Sequence, residues 1–273
     1  MSKSNKPSGA RDLSDHQADW AVYPTMIDDS PAFILADLGW AESHPDLTRT
    51  TWLHVRFPFT EQTEDGLPAP ETMDQVEAIE ESLITPIESA LNAVHVGSMS
   101  HQGFRHVFFY APTDRGLADA VRIAAGQYPK NIPSGISRED PDWDLYGDVL
   151  WPEGWSMEFV LNARVCSNLL DAGDDAEQAR PIDHLAYFSN PNSRGEFESW
   201  LKDNDYQVVD LNERSKEDDD SDDEEFNPFA IEFVHTGPAD PYELSNRSWD
   251  LREKAASLGG EYDGWATEPV KAE

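Results

Sequence analysis

The chain has 273 residues, of which 38% are hydrophobic and 11% aromatic, so it can bury a core and is not disordered throughout. Its 54 acidic and 20 basic residues give a net charge of −34, which disfavours direct binding of nucleic acid. No apolar run reaches the ~20 residues of a membrane span and the first residues lack a signal peptide's apolar stretch, so we expect a cytoplasmic protein without a membrane partner.

The first half begins with a polar tail and strand-like segments. Residues 1–17 are polar and predict a disordered tail. In the best alternating segment, Leu53, Val55 and Phe57 share one face, which predicts a half-buried strand. Strands are predicted at residues 20–27, 31–40 and 50–59.

Helices and a hairpin follow these strands. Residues 71–94 repeat apolar side chains at three- and four-residue steps, which predicts a helix that Pro86 kinks or splits. A hairpin is predicted around residues 102–103, and a shorter helix at residues 114–127. The aromatic-rich segment 140–170 predicts a strand or helix up to Trp151 and then a helix from Glu153.

The composition divides the chain into two domains of the α+β class. Residues 18–170 predict an α+β domain with an antiparallel sheet, and the acidic segment 171–181 predicts a linker. Residues 182–273 restart the pattern in the order β-α-β-β-α-β, which is typical of a ferredoxin-like domain. The elements of this second domain are predicted at residues 182–188, 190–206, 206–214, 229–238, 240–260 and 261–270.

Three histidines are the candidates for a metal site. His101 and His106 flank the predicted hairpin turn, and His54 lies on a strand that we expect near them. Imidazoles bind zinc, but histidines that face solvent or complete a hydrogen bond are the commoner case. A metal-dependent enzyme with its site in the N-terminal domain is therefore an alternative hypothesis.

The sequence contains no recognisable catalytic constellation. Ser98 and Ser100 lack the surroundings of a nucleophile elbow. Cys166 lies among apolar residues, which indicates a buried thiol, and as the single cysteine it excludes an intramolecular disulfide. No glycine-rich loop for a phosphate or a dinucleotide is present, so we expect no catalytic residue and no cofactor.

The densest acidic run lies between the second and third strands predicted for the C-terminal domain. It lacks the central glycine and the spacing of a calcium loop, so we expect a solvated segment. The overall charge has three open explanations: solubility, adaptation to high salt, or a protein partner with a basic surface. In the third, the partner-binding residues are Glu217, Asp218, Asp219, Asp220, Asp222, Asp223, Glu224 and Glu225.

The chain nearly ends with an aromatic turn, GGEYDGWATEPV, at residues 259–270. Either glycine of Gly259–Gly260 can end the preceding helix in a left-handed conformation, and Asp263–Gly264 can form a tight turn. We expect Tyr262 and Trp265 to pack where the last strand meets the sheet. The turn, including Gly260, is therefore predicted to be structural.

These closing residues carry a resemblance to a known family. Residues ~180–270 resemble the regulators of ribonuclease E activity B (RraB), through the strand IDHLAYF, the acidic loop and the helix end LGGEYDGWATE. The resemblance implies a ferredoxin-like fold. It also implies a protein inhibitor that binds an endoribonuclease and is not itself an enzyme.

The N-terminal half resembles a second family, the bacterial domain of unknown function 695, through the stretch DWAVYPTMIDDSPAFILADL. The resemblance implies the domain order and no mechanism. We therefore expect a non-enzymatic, acidic bacterial regulatory protein whose partner has a basic surface, such as a ribonuclease. Besides the metal-dependent enzyme, an acidic structural or stress-related protein of a salt-tolerant bacterium is an alternative.

Overall fold

A computed structural model of the chain describes residues 16–41, 44–214 and 227–271. It divides the chain into two compact units, Met1–Pro152 and Glu153–Glu273. Each unit packs helices against an antiparallel sheet, so the predicted α+β class with two domains is confirmed. The predicted tail at residues 1–17 lies outside the described residues, except for its last two.

The first unit is built on a six-stranded sheet. Its elements are β1 (Trp20–Ile27), β2 (Ser30–Asp37), β3 (Thr51–Pro58), α1 (Met73–Leu91), β4 (Val94–His101), β5 (Phe104–Ala111), α2 (Leu117–Gln127), β6 (Ser134–Glu139) and α3 (Asp144–Leu150). The strand order is β1-β2-β4-β5-β3-β6, and every neighbouring pair is antiparallel. The predicted hairpin is the β4–β5 pair.

The core of the first unit lies between this sheet and the helices α1 and α2. Leu53, Val55 and Phe57 are fully buried in it, whereas Arg56 is exposed, as the alternation predicts. Helix α1 is continuous, so the possibility that Pro86 splits it is wrong. Pro86 lies on the exposed side of α1, where water can replace the hydrogen bond that the proline ring removes.

Strand β6 has no counterpart among the predicted elements. It pairs with β3 at the edge of the sheet, and all six of its side chains are exposed. A strand without a buried face has no alternating apolar pattern, so periodicity cannot reveal it.

The second unit is built on a four-stranded sheet. Its elements are α4 (Trp155–Asp171), β7 (Arg180–Phe188), α5 (Pro191–Asp203), β8 (Gln207–Glu213), β9 (Phe229–Gly237), α6 (Pro241–Ser257) and β10 (Gly260–Ala266). From β7 onward the order is β-α-β-β-α-β, as the sequence predicts. The strands lie in the order β10-β7-β9-β8, with every neighbouring pair antiparallel. The first and third strands of the motif are therefore central, and α5 and α6 cover one face through an aromatic core.

Helix α4 belongs to this second unit, although the sequence placed it in the first domain. It packs against α6, and the Asn162 amide donates to two serine hydroxyls of that helix, one of them Ser245 at 3.1 Å. The chain divides after Pro152 and not at the linker predicted for residues 171–181. That polar segment is held in the second unit because Arg180 forms a buried ion pair with Asp174.

Candidate functional site

Two of the three candidate histidines meet on the sheet of the first unit. Nε2 of His54 lies 2.9 Å from Nδ1 of His106, so one ring donates a hydrogen bond to the other. Burial, aided by the charge of Arg56, lowers the pKa of each ring to about 4. The two rings are therefore neutral at pH 7. His101 makes a separate contact, with its Nε2 3.3 Å from the Ile27 carbonyl oxygen.

This arrangement does not assemble a metal site from the three histidines. The facing nitrogens of His54 and His106 are engaged with each other, so they cannot direct both lone pairs at one ion. Within residues 16–41, 44–214 and 227–271, no three His, Cys, Asp or Glu side chains are grouped so that they could hold a metal. The described residues therefore provide no set of metal ligands that would support the hypothesis of a metal-dependent enzyme.

Ser98 and Ser100 belong to a buried ion-pair network. Arg105 donates to Glu80 from Nε at 2.6 Å and to the Ser100 hydroxyl at 3.0 Å, and the Ser98 hydroxyl also donates to Glu80. Nε2 of His95 lies 3.0 Å from the Ser98 oxygen, and burial lowers the pKa of His95 to about 4. The network joins α1 to β4 and β5, and the hydroxyls of both serines take part in it.

Cys166 lies on α4, where it packs with Ile182 and Leu244. Burial raises the pKa of its thiol to about 11. The thiol is therefore protonated at neutral pH and is a poor nucleophile. This agrees with the structural role that its apolar sequence context indicates.

The glycines of the closing turn occupy positions that need glycine. Gly259 has a φ of +68° at the end of α6, a left-handed conformation that suits glycine. Gly260 begins β10 opposite Phe188. A Cβ at Gly260 would lie 2.3 Å from the Phe188 ring, so no larger residue fits without a shift of the strand or the ring.

Residues 262–265 contain a β-bulge of β10. The pairing with β7 shifts between Tyr262 and Gly264, and Gly264 has a φ of +131°. Tyr262 is fully buried, and Trp265 packs towards α4, where its Nε1 donates to the Asn162 oxygen at 2.7 Å. Asp263, the residue within the bulge, is exposed.

A buried chain of polar groups that the sequence reasoning missed runs from this turn into the sheet. Nδ1 of His184 lies 2.8 Å from the Tyr262 hydroxyl, and Nε2 of His184 lies 2.7 Å from Nδ1 of His235. Two proton arrangements satisfy both contacts. Either the tyrosine donates to His184 and His184 donates to His235, or His235 donates to His184 and His184 donates to the tyrosine oxygen. This chain links three neighbouring strands, β10, β7 and β9, inside the core.

Burial governs the protonation of this chain. The side chains of His184 and His235 are only 3% and 5% exposed. Burial lowers the pKa of His184 to about 3 and that of His235 to about 4, with the nearby Arg247 adding to both shifts. Burial also raises the pKa of Tyr262, so all three groups are neutral at physiological pH. In the sequence, the signal that could have revealed this buried chain was the position of His184 among the apolar residues of the strand IDHLAYF.

The acidic run at residues 217–225 lies outside the described residues. Its role as a partner-binding segment therefore stays a prediction. Among the residues that the structure does describe, no helix is both long and apolar enough to cross a membrane.

Comparison with known proteins identifies two families along the chain. Residues 18–151 match the family of unknown function DUF695, and residues 161–267 match the family Regulator of ribonuclease activity B (RraB). The two matches follow each other along the chain in the order that the sequence predicts. The second match begins within α4, on the same side of the division as the rest of the second unit.

One solved structure that matches is the crystal structure of an unknown protein from Galdieria sulphuraria. It is 10% identical to this chain, and the match covers 80% of this chain and 99% of that one, with a TM-score of 0.22. Similarity this low carries no structural argument. No curated protein matches the chain.

Proposed function

We propose that the protein is a non-enzymatic regulator that binds an RNA-processing enzyme such as ribonuclease E and modulates its activity. The observation that carries this proposal is the match of residues 161–267 to the Regulator of ribonuclease activity B family. The DUF695 domain contributes no known activity to the proposal. A free, buried thiol at Cys166 suits the reducing cytoplasm, where we place the interaction.

The chemistry of the described residues supports binding in preference to catalysis. In the second unit, His184 and His235 are buried and neutral, and the Cys166 thiol is protonated. In the first unit, His54 and His106 hydrogen-bond each other. These groups hold their strands and helices together, and none of them is poised to exchange a proton at neutral pH.

The net charge supports a basic partner. A surface with 34 more negative than positive charges repels phosphate backbones and attracts basic protein segments. We assign part of this attraction to the acidic run at residues 217–225. Its carboxylates would compete with RNA for arginine-rich segments of the partner.

An activity assay tests the proposal. Purified ribonuclease E cleaves a labelled RNA in the presence of increasing amounts of the full chain, and cleavage is followed on gels. We expect cleavage to slow as the two proteins form a complex, and the effect to weaken at high salt. Unchanged cleavage together with no detectable complex at low salt would exclude this function.

A pair of charge-matched variants tests the acidic run. One variant replaces Asp218, Asp220 and Asp222 by asparagine. Its control replaces three exposed acidic residues of α1 by their amides, Asp74, Glu77 and Glu81. If the run contacts the partner, the first variant weakens the complex several-fold more than the control does. Equal weakening would mean that only the net charge matters.

A further inference from the structure

We infer that the face of the second sheet that α5 and α6 leave open is a docking surface for a basic, partly apolar peptide segment of a protein partner. This inference rests on the proposed function, because it locates that function's partner on the fold. It concerns the described strands alone and does not depend on the acidic run.

The open face is defined by strand alternation. Every second residue of β7 and β9 is buried against the helices, so Asp183 and Leu185 of β7 and Glu232 of β9 point the other way. Two bulges bring further side chains to the same face, Val209 from β8 and Asp263 from β10. These five residues take part in lining a cavity of about 340 Å³. We call them the face residues.

Two of the face residues are apolar. Val209 of the edge strand β8 is 58% exposed, and Leu185 of β7 is half-buried. When a partner covers apolar side chains that were exposed to water beside a cavity, the free energy falls, and this favours binding. A binding segment must therefore bring apolar atoms as well as charge.

The other three face residues are acidic, and one of them, Glu232, lies on β9 between the strands of Leu185 and Val209. Asp183, Glu232 and Asp263 are all exposed. Of the ion pairs formed within the described residues, none includes any of these three carboxylates, and Glu232 only accepts a hydrogen bond from the Asn212 amide at 3.1 Å. Their charge is thus available to a partner.

The apolar and acidic face residues together indicate which class of partner binds here. A nucleic acid is disfavoured because its phosphates would meet three carboxylates. A second copy of this chain would bring a further net charge of −34 against the same carboxylates. An arginine-rich segment fits both features, since the aliphatic stem of arginine covers apolar surface while its guanidinium pairs with a carboxylate.

The test uses the full chain and two triple variants. The probe is a synthetic peptide of alternating arginine and leucine, and a glutamate-and-leucine peptide is its charge control. The face variant is Asp183→Asn, Glu232→Gln and Asp263→Asn. The helix variant removes the same charge from exposed positions of α5 and α6: Glu196→Gln, Asp203→Asn and Glu253→Gln.

We expect the face variant to bind the arginine peptide about tenfold more weakly, because three contacts of ordinary strength are lost together. The helix variant should change the affinity less than twofold. Methyl NMR on the unmodified chain should show the signals of Leu185 and Val209 moving during the titration. Equal weakening by both variants, or unmoved Leu185 and Val209 signals, would overturn the inference.

The ribonuclease assay separates this inference from the proposed function. If the face variant modulates cleavage as well as the unmodified chain does, the docking surface is refuted and the function stands. If the peptide binds at Leu185 and Val209 but no ribonuclease complex forms, the docking surface stands and the proposed function fails.

Discussion

The buried histidine pair should make the second unit sensitive to acid. His184 and His235 are neutral in the folded chain because burial lowers their pKa values to about 3 and about 4. In the unfolded chain each ring regains its ordinary pKa of about 6.5. Below pH 6.5 the unfolded chain therefore binds protons that the folded chain does not, and stability falls as the pH is lowered.

The size of this effect follows from the two pKa shifts. Each shifted histidine contributes up to about 1.4 kcal/mol per pH unit between the folded and unfolded pKa values. From pH 7 to pH 5 each ring costs roughly 2 kcal/mol and the pair roughly 4 kcal/mol. That is a large part of the ~5–15 kcal/mol that stabilises an ordinary domain.

The assay is urea unfolding at pH 7, 6 and 5, with hydrogen exchange and mass spectrometry to follow peptides of the second unit. The variant His184→Gln, His235→Gln should lose roughly 4 kcal/mol less than the unmodified chain between pH 7 and pH 5. Either single variant should show about half of that difference. The control, His54→Gln with His106→Gln, removes a similar pair from the first unit. If the pH dependence of the second unit is the same in the histidine variant as in the unmodified chain, the reasoning is refuted.

Four further substitutions should change stability by different amounts, measured by urea unfolding at pH 7. Glu80→Ala should cost about 3–5 kcal/mol because it leaves the largely buried Arg105 without a carboxylate to balance its charge. Asp119→Ala removes an exposed pair and should cost under about 1 kcal/mol. Trp265→Ala should cost about 2–4 kcal/mol, at or below the usual range for aromatic truncation, because the indole is only partly buried. Gly260→Ala should cost about 1–3 kcal/mol because its new methyl group overlaps an aromatic ring. A Gly260→Ala variant as stable as the unmodified chain would show that β10 can move away.

Much of the fold could be predicted because the patterns that determine it are local. The alternation in β3 places Leu53, Val55 and Phe57 in the core, and the Asp240–Pro241 pair marks the start of α6 through its cap. Strand β6 lacked any such pattern because none of its side chains is buried. The unit to which α4 belongs is determined by its contact with α6. That contact joins distant parts of the sequence, so no local pattern predicts it.

The candidate site was harder to predict than the fold. Sequence spacing suggested that His101 and His106 meet across the hairpin with His54 on a nearby strand, but the side chain that contacts His106 is that of His54. The spacing could not show that these two rings hydrogen-bond each other. The chain from His184 to His235 joins residues about fifty positions apart, and it exists only because β7 and β9 are neighbours. A polar residue in an apolar strand is a visible signal, but its partner becomes known only with the strand order.

The closing turn combines two roles, an anchor in the core and an exposed surface. In a regular strand Tyr262 and Trp265, three positions apart, would point to opposite faces of the sheet. The bulge adds one residue, so that both side chains pack on the helix side, and Asp263 is displaced to the open face. Gly264 permits this path because its φ of +131° is accessible to glycine and strained for other residues. The same four residues therefore fix the last strand and place a carboxylate on the proposed docking surface, so a change at Gly264 should disturb packing and binding together.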